Sequence, residues 1–178
     1  MRKLQIGVMG SAADLKYAES IAKLAEETGR IIAESGHVTV YGAEKDYDSL
    51  STAAARGAKK AKGLTVGVTY GKGKDIYGKN FTDIIISTGL DRGGGREFVL
   101  VNSCDALIAI SGGSGTLTEI AIAYQSNIPI IVLKGTGGWS DKLAGTYLDG
   151  RERIKAVSAE TPEEAVKTAI KLASEKNR

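Results

Sequence analysis

At 178 residues, 42% of them hydrophobic and 25% charged, the chain has the length and composition of one globular domain with a core of ordinary size. Its apolar runs are far too short to span a bilayer, and a net charge of +3, from 24 basic residues spread among 21 acidic ones, marks no nucleic-acid-binding surface. One cysteine and one histidine are too few for an intramolecular disulfide or a zinc site.

Arg2 and Lys3 open the chain as a signal peptide would, but Gln5 interrupts the apolar segment after them, so a cytoplasmic protein without a membrane partner is expected. Residues 4–9 form a first apolar strand, and Gly10-Ser11-Ala12-Ala13-Asp14 follows as a small-residue turn that offers backbone amides to a ligand. A helix over 15–35 comes next: Ile21, Leu24, Ala25 and Ile32 recur at helical spacing and Gly36 closes it. Residues 37–41 form a second strand that ends in Gly42. The second helix spans about 48–60, with Asp48 or Ser49 as its cap and an alanine-rich middle; Gly57 within it either serves close packing or weakens the helix.

The third strand is 64–68, and 69–81 lacks periodicity and reads as a surface loop near the site. Gly71-Lys72-Gly73-Lys74 is not a Walker-type loop, because Val66 and Val68 stand where its first glycine would fall. A fourth strand at 83–87 leads into a glycine-rich loop carrying Arg92 and Arg96, and then into a short helix over 97–103. The strand at 106–110 is followed by five small residues and a helix opening at Thr116. Residues 128–133 form a strand buried on both faces, with Lys134 to Trp139 as the turn after it. A last strand at 153–157 precedes a helix to about residue 176, capped by Thr161, Pro162 and Glu164.

Strands alternating with helices predict an α/β, Rossmann-like fold: a mostly parallel sheet with helices on both faces and a ligand at the strands' C-terminal edge. The glycine-bearing turns at Gly10, at Gly42, from Gly89 to Gly95 and from Gly112 to Gly115 then converge on one crevice. Thr118 occupies the third-glycine position of Gly-x-Gly-x-x-Gly, which disfavours a dinucleotide. The signal is for phosphate, with Gly10, Ser11, Gly42, Gly112, Gly113, Ser114, Gly115 and Thr116 as candidate binding residues.

Glu119 has two readings. Thr116-Leu117-Thr118-Glu119 matches a capping box, so the carboxylate caps its own helix; alternatively, one turn from a phosphate loop, it positions water or stabilises charge developing on a ribose. Arg96 pairs with Glu119 or with the ligand, or is a solvated loop residue, and Arg92 is an equal candidate by composition. Cys104, beside a buried strand, reads as a small core residue.

The arrangement Arg96, then Asp105-Ala106 and an apolar strand, then Gly112-Gly113-Ser114-Gly115-Thr116-Leu117-Thr118-Glu119, resembles the LONELY GUY family, often labelled "possible lysine decarboxylase", and the related molybdenum-cofactor carrier proteins. The likeness covers nearly the whole chain. In the LONELY GUY enzymes the motif is Pro-Gly-Gly-x-Gly-Thr-x-x-Glu with an Arg-Lys pair upstream, and they cleave nucleoside 5′-monophosphates to ribose 5-phosphate and a free base. The resemblance implies catalytic roles for Arg96 and Glu119, a phosphate cradle of Gly112, Gly113, Gly115 and Thr116, and a homo-oligomer.

Ser111 stands where the motif has proline, and Glu97 where it has lysine. With the Gly-Thr-Gly-Gly-Trp turn ending at Trp139, these departures make the chain look more like the carrier branch, whose members bind a phosphorylated pterin cofactor. The expected function is therefore binding of a phosphorylated nucleotide-like ligand, with molybdenum cofactor as the carried ligand and no other cofactor required. The alternative is hydrolysis of nucleoside 5′-monophosphates. Nothing marks a Schiff-base lysine, so pyridoxal phosphate chemistry is set aside.

Overall fold

The computed structural model describes residues 2–91 and 95–176. Among them are the seven strands β1 (Gln5–Gly10), β2 (Val38–Ala43), β3 (Leu64–Thr69), β4 (Ile84–Ser87), β5 (Ala106–Ile110), β6 (Ile130–Leu133) and β7 (Ala156–Ala159). They pair in parallel, in the order β4-β3-β2-β1-β5-β6-β7. The helices are α1 (Glu19–Glu34), α2 (Leu50–Lys60), α3 (Arg96–Asn102), α4 (Ser114–Gln125), α5 (Gly138–Leu143) and α6 (Pro162–Lys176). No helix among the described residues is long and apolar enough to cross a membrane.

Both faces of the sheet are covered, and the central strand shows why it is apolar throughout. Side chains alternate along a strand, so in β5 Ala106, Ile108 and Ile110 join one apolar layer with Ala25 and Ile32 of α1 and Ala165 and Ala169 of α6. Leu107 and Ala109 join the opposite layer with Leu100 of α3 and Ile120 and Ala123 of α4. All five β5 residues are buried. The edge strand β4, by contrast, leaves Ile84 and Ile86 exposed.

Helices α1 and α2 touch backbone to backbone. A Cβ on Gly29 would lie 1.8 Å from the Ala54 carbonyl oxygen, and one on Gly57 would lie 1.8 Å from that of Glu26. Gly57 thus serves close packing. Ser49 caps α2 by accepting the Thr52 N–H at 3.0 Å, and Thr161 accepts the Glu164 N–H at 3.2 Å at the start of α6.

Several expected boundaries move. The helix predicted from residue 15 starts at Glu19, because Ala13–Leu15 forms a separate 3-10 turn that ends at Lys16 with a left-handed φ of 52°. The last strand lies at 156–159 rather than 153–157, since Ala156 is the residue in register with Ile130 and Lys155 instead bridges to Tyr147. The turn expected from Lys134 to Trp139 contains the start of α5. The Asp141 carboxylate holds it there by accepting the N–H groups of Gly135 at 2.6 Å and Gly137 at 2.9 Å.

The order of the sheet reverses at β1 and β5, whose chains leave in opposite directions. That is where an open α/β sheet has its crevice.

Candidate functional site

Strands β1 and β5 end level, with Gly10 beside Ile110. Gly10 is needed there because a Cβ would come 2.7 Å from the Leu50 Cβ and 2.8 Å from the Ile110 carbonyl oxygen. After β5 the chain turns through Ser111, at φ 56°, and Gly112, at φ 103°, so that α4 begins at Ser114 rather than at Thr116. Its N-cap residue, Gly113, has no side chain to offer. Leu117 is the first residue whose N–H reaches the turn carbonyls, at 3.0 Å from Gly113 O. The amides of Ser114, Gly115 and Thr116 therefore have no acceptor within the helix, and they lie at the positive end of its dipole.

This turn is held from behind by buried hydroxyls. Ser11 Oγ accepts the Gly112 N–H at 2.9 Å and donates to Ser111 Oγ at 3.1 Å, while the Ser111 N–H donates to Thr136 Oγ1 at 2.8 Å. The Ser111 carbonyl accepts both the N–H and the hydroxyl of Ser140, each at 2.9 Å. The Gly-Thr-Gly-Gly-Trp turn thus acts as a strut beneath the loop, and Gly138 packs so close that a Cβ would lie 2.5 Å from Gly112 O. Gly112 itself is not on the cavity wall. Its N–H is committed to Ser11, and the Thr116 side chain fills the space where its Cβ would be, at 2.6 Å.

Arg96 opens α3 and is 3% exposed, which removes the solvated-loop reading. Its guanidinium stacks on Tyr70, 3.9 Å from the ring centroid, and its Nη2 donates to the Tyr70 hydroxyl and to Glu44 Oε1 at 3.3 Å, with Glu97 Oε1 at 3.7 Å. Among the described residues, Nε and Nη1 have no hydrogen-bond partner. A Cβ on Gly42 would lie 2.0 Å from Nη1, so this glycine makes room for the guanidinium. Glu97 is 5% exposed and accepts the Tyr70 hydroxyl at 3.0 Å. Burial pushes the Tyr70 hydroxyl up to about 12.

Glu119 lies beyond the first turn of α4, too far in for a capping box, and its carboxyl has no hydrogen-bond partner among the described residues. It is 7% exposed, and burial pushes it up to about 8; Glu97 and Glu44 add to the rise and Arg96 opposes it. At neutral pH the carboxyl is mostly protonated.

These groups share one cavity of about 360 Å³, within the size range of small-molecule sites. Gly10, Ser11, Gly42, Gly113, Ser114, Gly115, Thr116, Arg96 and Glu119, all named from the sequence, lie on its wall. Asp14, Leu15, Glu44, Tyr47 and Tyr70 also line it and were not singled out. The available signal was position, since Glu44 and Tyr70 each directly follow a strand's C-terminal end. Arg92, Gly93 and Gly94 lie outside the described residues.

Cys104 is a core residue. It is buried, its Sγ donates to Leu100 O at 3.2 Å, and burial pushes the thiol up. His37 accepts the Leu4 N–H at 3.3 Å and is not on the cavity wall. No group of three potential metal ligands occurs among the described residues.

The chain is 36% identical to a protein of Archaeoglobus fulgidus over 170 residues, covering 96% of this chain and 97% of that one. It superposes on the molybdenum cofactor binding protein of the phototrophic bacterium Rippkaea orientalis with a TM-score of 0.80 at 31% identity, over 97% of this chain and 98% of the other. It superposes on the molybdenum cofactor carrier protein of Chlamydomonas reinhardtii with a TM-score of 0.80 at 30% identity, over 97% and 99%. These likenesses agree with the resemblance carried by the loop motif. The family model that matches spans residues 3–166, and the chain belongs to the SLOG cluster4 family.

Proposed function

We propose that this protein binds a phosphorylated small molecule, seats the phosphate on the amides of Ser114, Gly115 and Thr116, and carries molybdenum cofactor as its ligand. The observation that carries this reading is the uncapped N-terminus of α4 opening into a cavity at the point where strand order reverses. A phosphate there would accept from several amides and meet the favourable end of the dipole. The choice of cofactor draws support from the two cofactor-binding relatives, each at least 30% identical over almost the whole chain. A thermal-unfolding titration tests it: molybdenum cofactor at about a hundred times its Kd should stabilise the fold by about 2.7 kcal/mol. If neither the cofactor nor inorganic phosphate shifts the transition, the reading fails.

One observation favours the phosphoribohydrolase alternative. A buried carboxyl that is protonated at neutral pH, as Glu119 is, could supply a proton to a departing base. The surroundings of Arg96 weigh against it, since Glu44, Glu97 and Tyr70 already surround Nη2 of the guanidinium that the resemblance makes catalytic. Chromatography of AMP incubations decides between the two. Free adenine released by the wild type and lost in Glu119→Gln would establish the enzyme; AMP left intact would remove it.

A further inference from the structure

The cavity wall carries more carboxyls than cations. Among the described residues Arg96 is its one basic side chain, and Glu44 at 3.3 Å and Glu97 at 3.7 Å already share the Nη2 of that guanidinium. Glu119 is a third carboxyl on the same wall, buried, and in no ion pair among the described residues. Nor do Nε and Nη1 of Arg96 donate to it, since neither has a hydrogen-bond partner among them.

The groups that face Glu119 come from four parts of the chain. Arg96 and Glu97 stand on α3, Glu44 directly follows β2, Tyr70 directly follows β3, and Cys104 lies just before β5. Asp14, which is exposed, and Tyr47 are the remaining titratable groups of the wall among the described residues. Burial pushes the Tyr70 hydroxyl up to about 12 and also raises the Cys104 thiol, so both keep their protons at mildly alkaline pH.

A phosphate on the amides of Ser114, Gly115 and Thr116 would bring about two negative charges to this wall. Glu119 follows Gly115 by four residues, a rise of about 6 Å along α4. Two unit charges about 6 Å apart, at an effective dielectric constant of about 20, repel by an amount worth about a hundredfold in affinity. One guanidinium shared by two carboxylates cannot offset a third carboxylate and a phosphate as well. A proton on Glu119 removes the repulsion at its source.

We propose that the protein takes up a proton with its phosphate ligand, that Glu119 holds this proton, and that the ligand is released as rising pH removes it. Glu119 stands at about 8, raised chiefly by burial, and a neighbouring phosphate raises it further. Affinity is therefore greatest below that value and is lost above it. This rests on the phosphate-binding reading above.

Calorimetric titration of the full chain with methyl phosphate between pH 7.5 and pH 9 tests it. A phosphate monoester completes its second ionisation near pH 6, so the charge of the probe is constant over this range. Affinity should fall about eightfold from pH 7.5 to pH 9, as for a carboxyl at about 8 that must be protonated for binding, and by less than about twofold in Glu119→Gln. Wild-type titrations at pH 8 in Tris and in HEPES, whose ionisation enthalpies differ, should show uptake of about half a proton, which tests the coupling even if the variant does not fold. A wild-type affinity that is flat with pH, with no proton taken up, would overturn the coupling and leave the phosphate seat standing. An eightfold fall retained in Glu119→Gln would overturn the role of Glu119. Absence of methyl phosphate binding at every pH would bring down both the coupling and the seat.

Discussion

Replacing Glu119 with glutamine keeps the size of the side chain and removes its titration. In the folded protein burial pushes the carboxyl up to about 8 from an ordinary 4.5. Because the folded value lies above the unfolded one, the group's contribution to stability is fully present below about pH 4.5 and is lost as pH rises through about 8. At about 1.4 kcal/mol per pKa unit, the gap between those limits is worth roughly 5 kcal/mol, and water entering the cavity reduces it to about half. Urea unfolding of both proteins between pH 5 and pH 9 measures it. The stability of wild type minus that of Glu119→Gln should fall by roughly 2–5 kcal/mol across this range. A difference that stays flat would mean the carboxyl is ionised or solvated throughout, and would refute the reasoning.

Two further substitutions probe the scaffold. Gly57→Ala, which in an exposed helix would stabilise by about 1 kcal/mol, should instead cost about 3 kcal/mol, because its Cβ would meet the Glu26 carbonyl at 1.8 Å; denaturant melts decide the sign. Ser111→Pro restores the motif's proline but should destabilise by about 3 kcal/mol or more. Proline cannot adopt φ 56° and has no N–H to give Thr136, so an unchanged thermal midpoint would contradict the turn described here.

The sheet was legible because each strand carries its own signal. The five apolar residues of β5 are bounded by Asp105 and Ser111 at the predicted positions, and β-branched runs mark β2 and β6. The site was legible in its glycines, yet their work differs. Gly42 gives space to Arg96 and Gly112 is locked to Ser11, whereas Gly113 and Gly115 face the cavity.

What escaped depends on distant chain or on left-handed backbone. Glu44 and Tyr70 reach Arg96 from two other strand ends, and only the order of the sheet brings these together. The two meanings of Glu119 turned on where α4 starts. Ser111 and Gly112, both with positive φ, turn the chain early enough to place Glu119 beyond capping reach. Helix α5 was hidden because its glycines read as a turn, and its organising residue, Asp141, acts from four positions beyond Gly137.

The claim that a phosphate sits on α4 is tested most directly at Gly115. A Cβ there would meet no atom within 4 Å, and an acidic residue in the first turn favours the helix, so Gly115→Asp should fold with wild-type stability or better. Its carboxylate would occupy the proposed phosphate seat. Calorimetric titration with molybdenum cofactor should show affinity at least tenfold weaker for Gly115→Asp and little changed for Gly115→Ala. Undiminished binding by a folded Gly115→Asp variant would contradict the account.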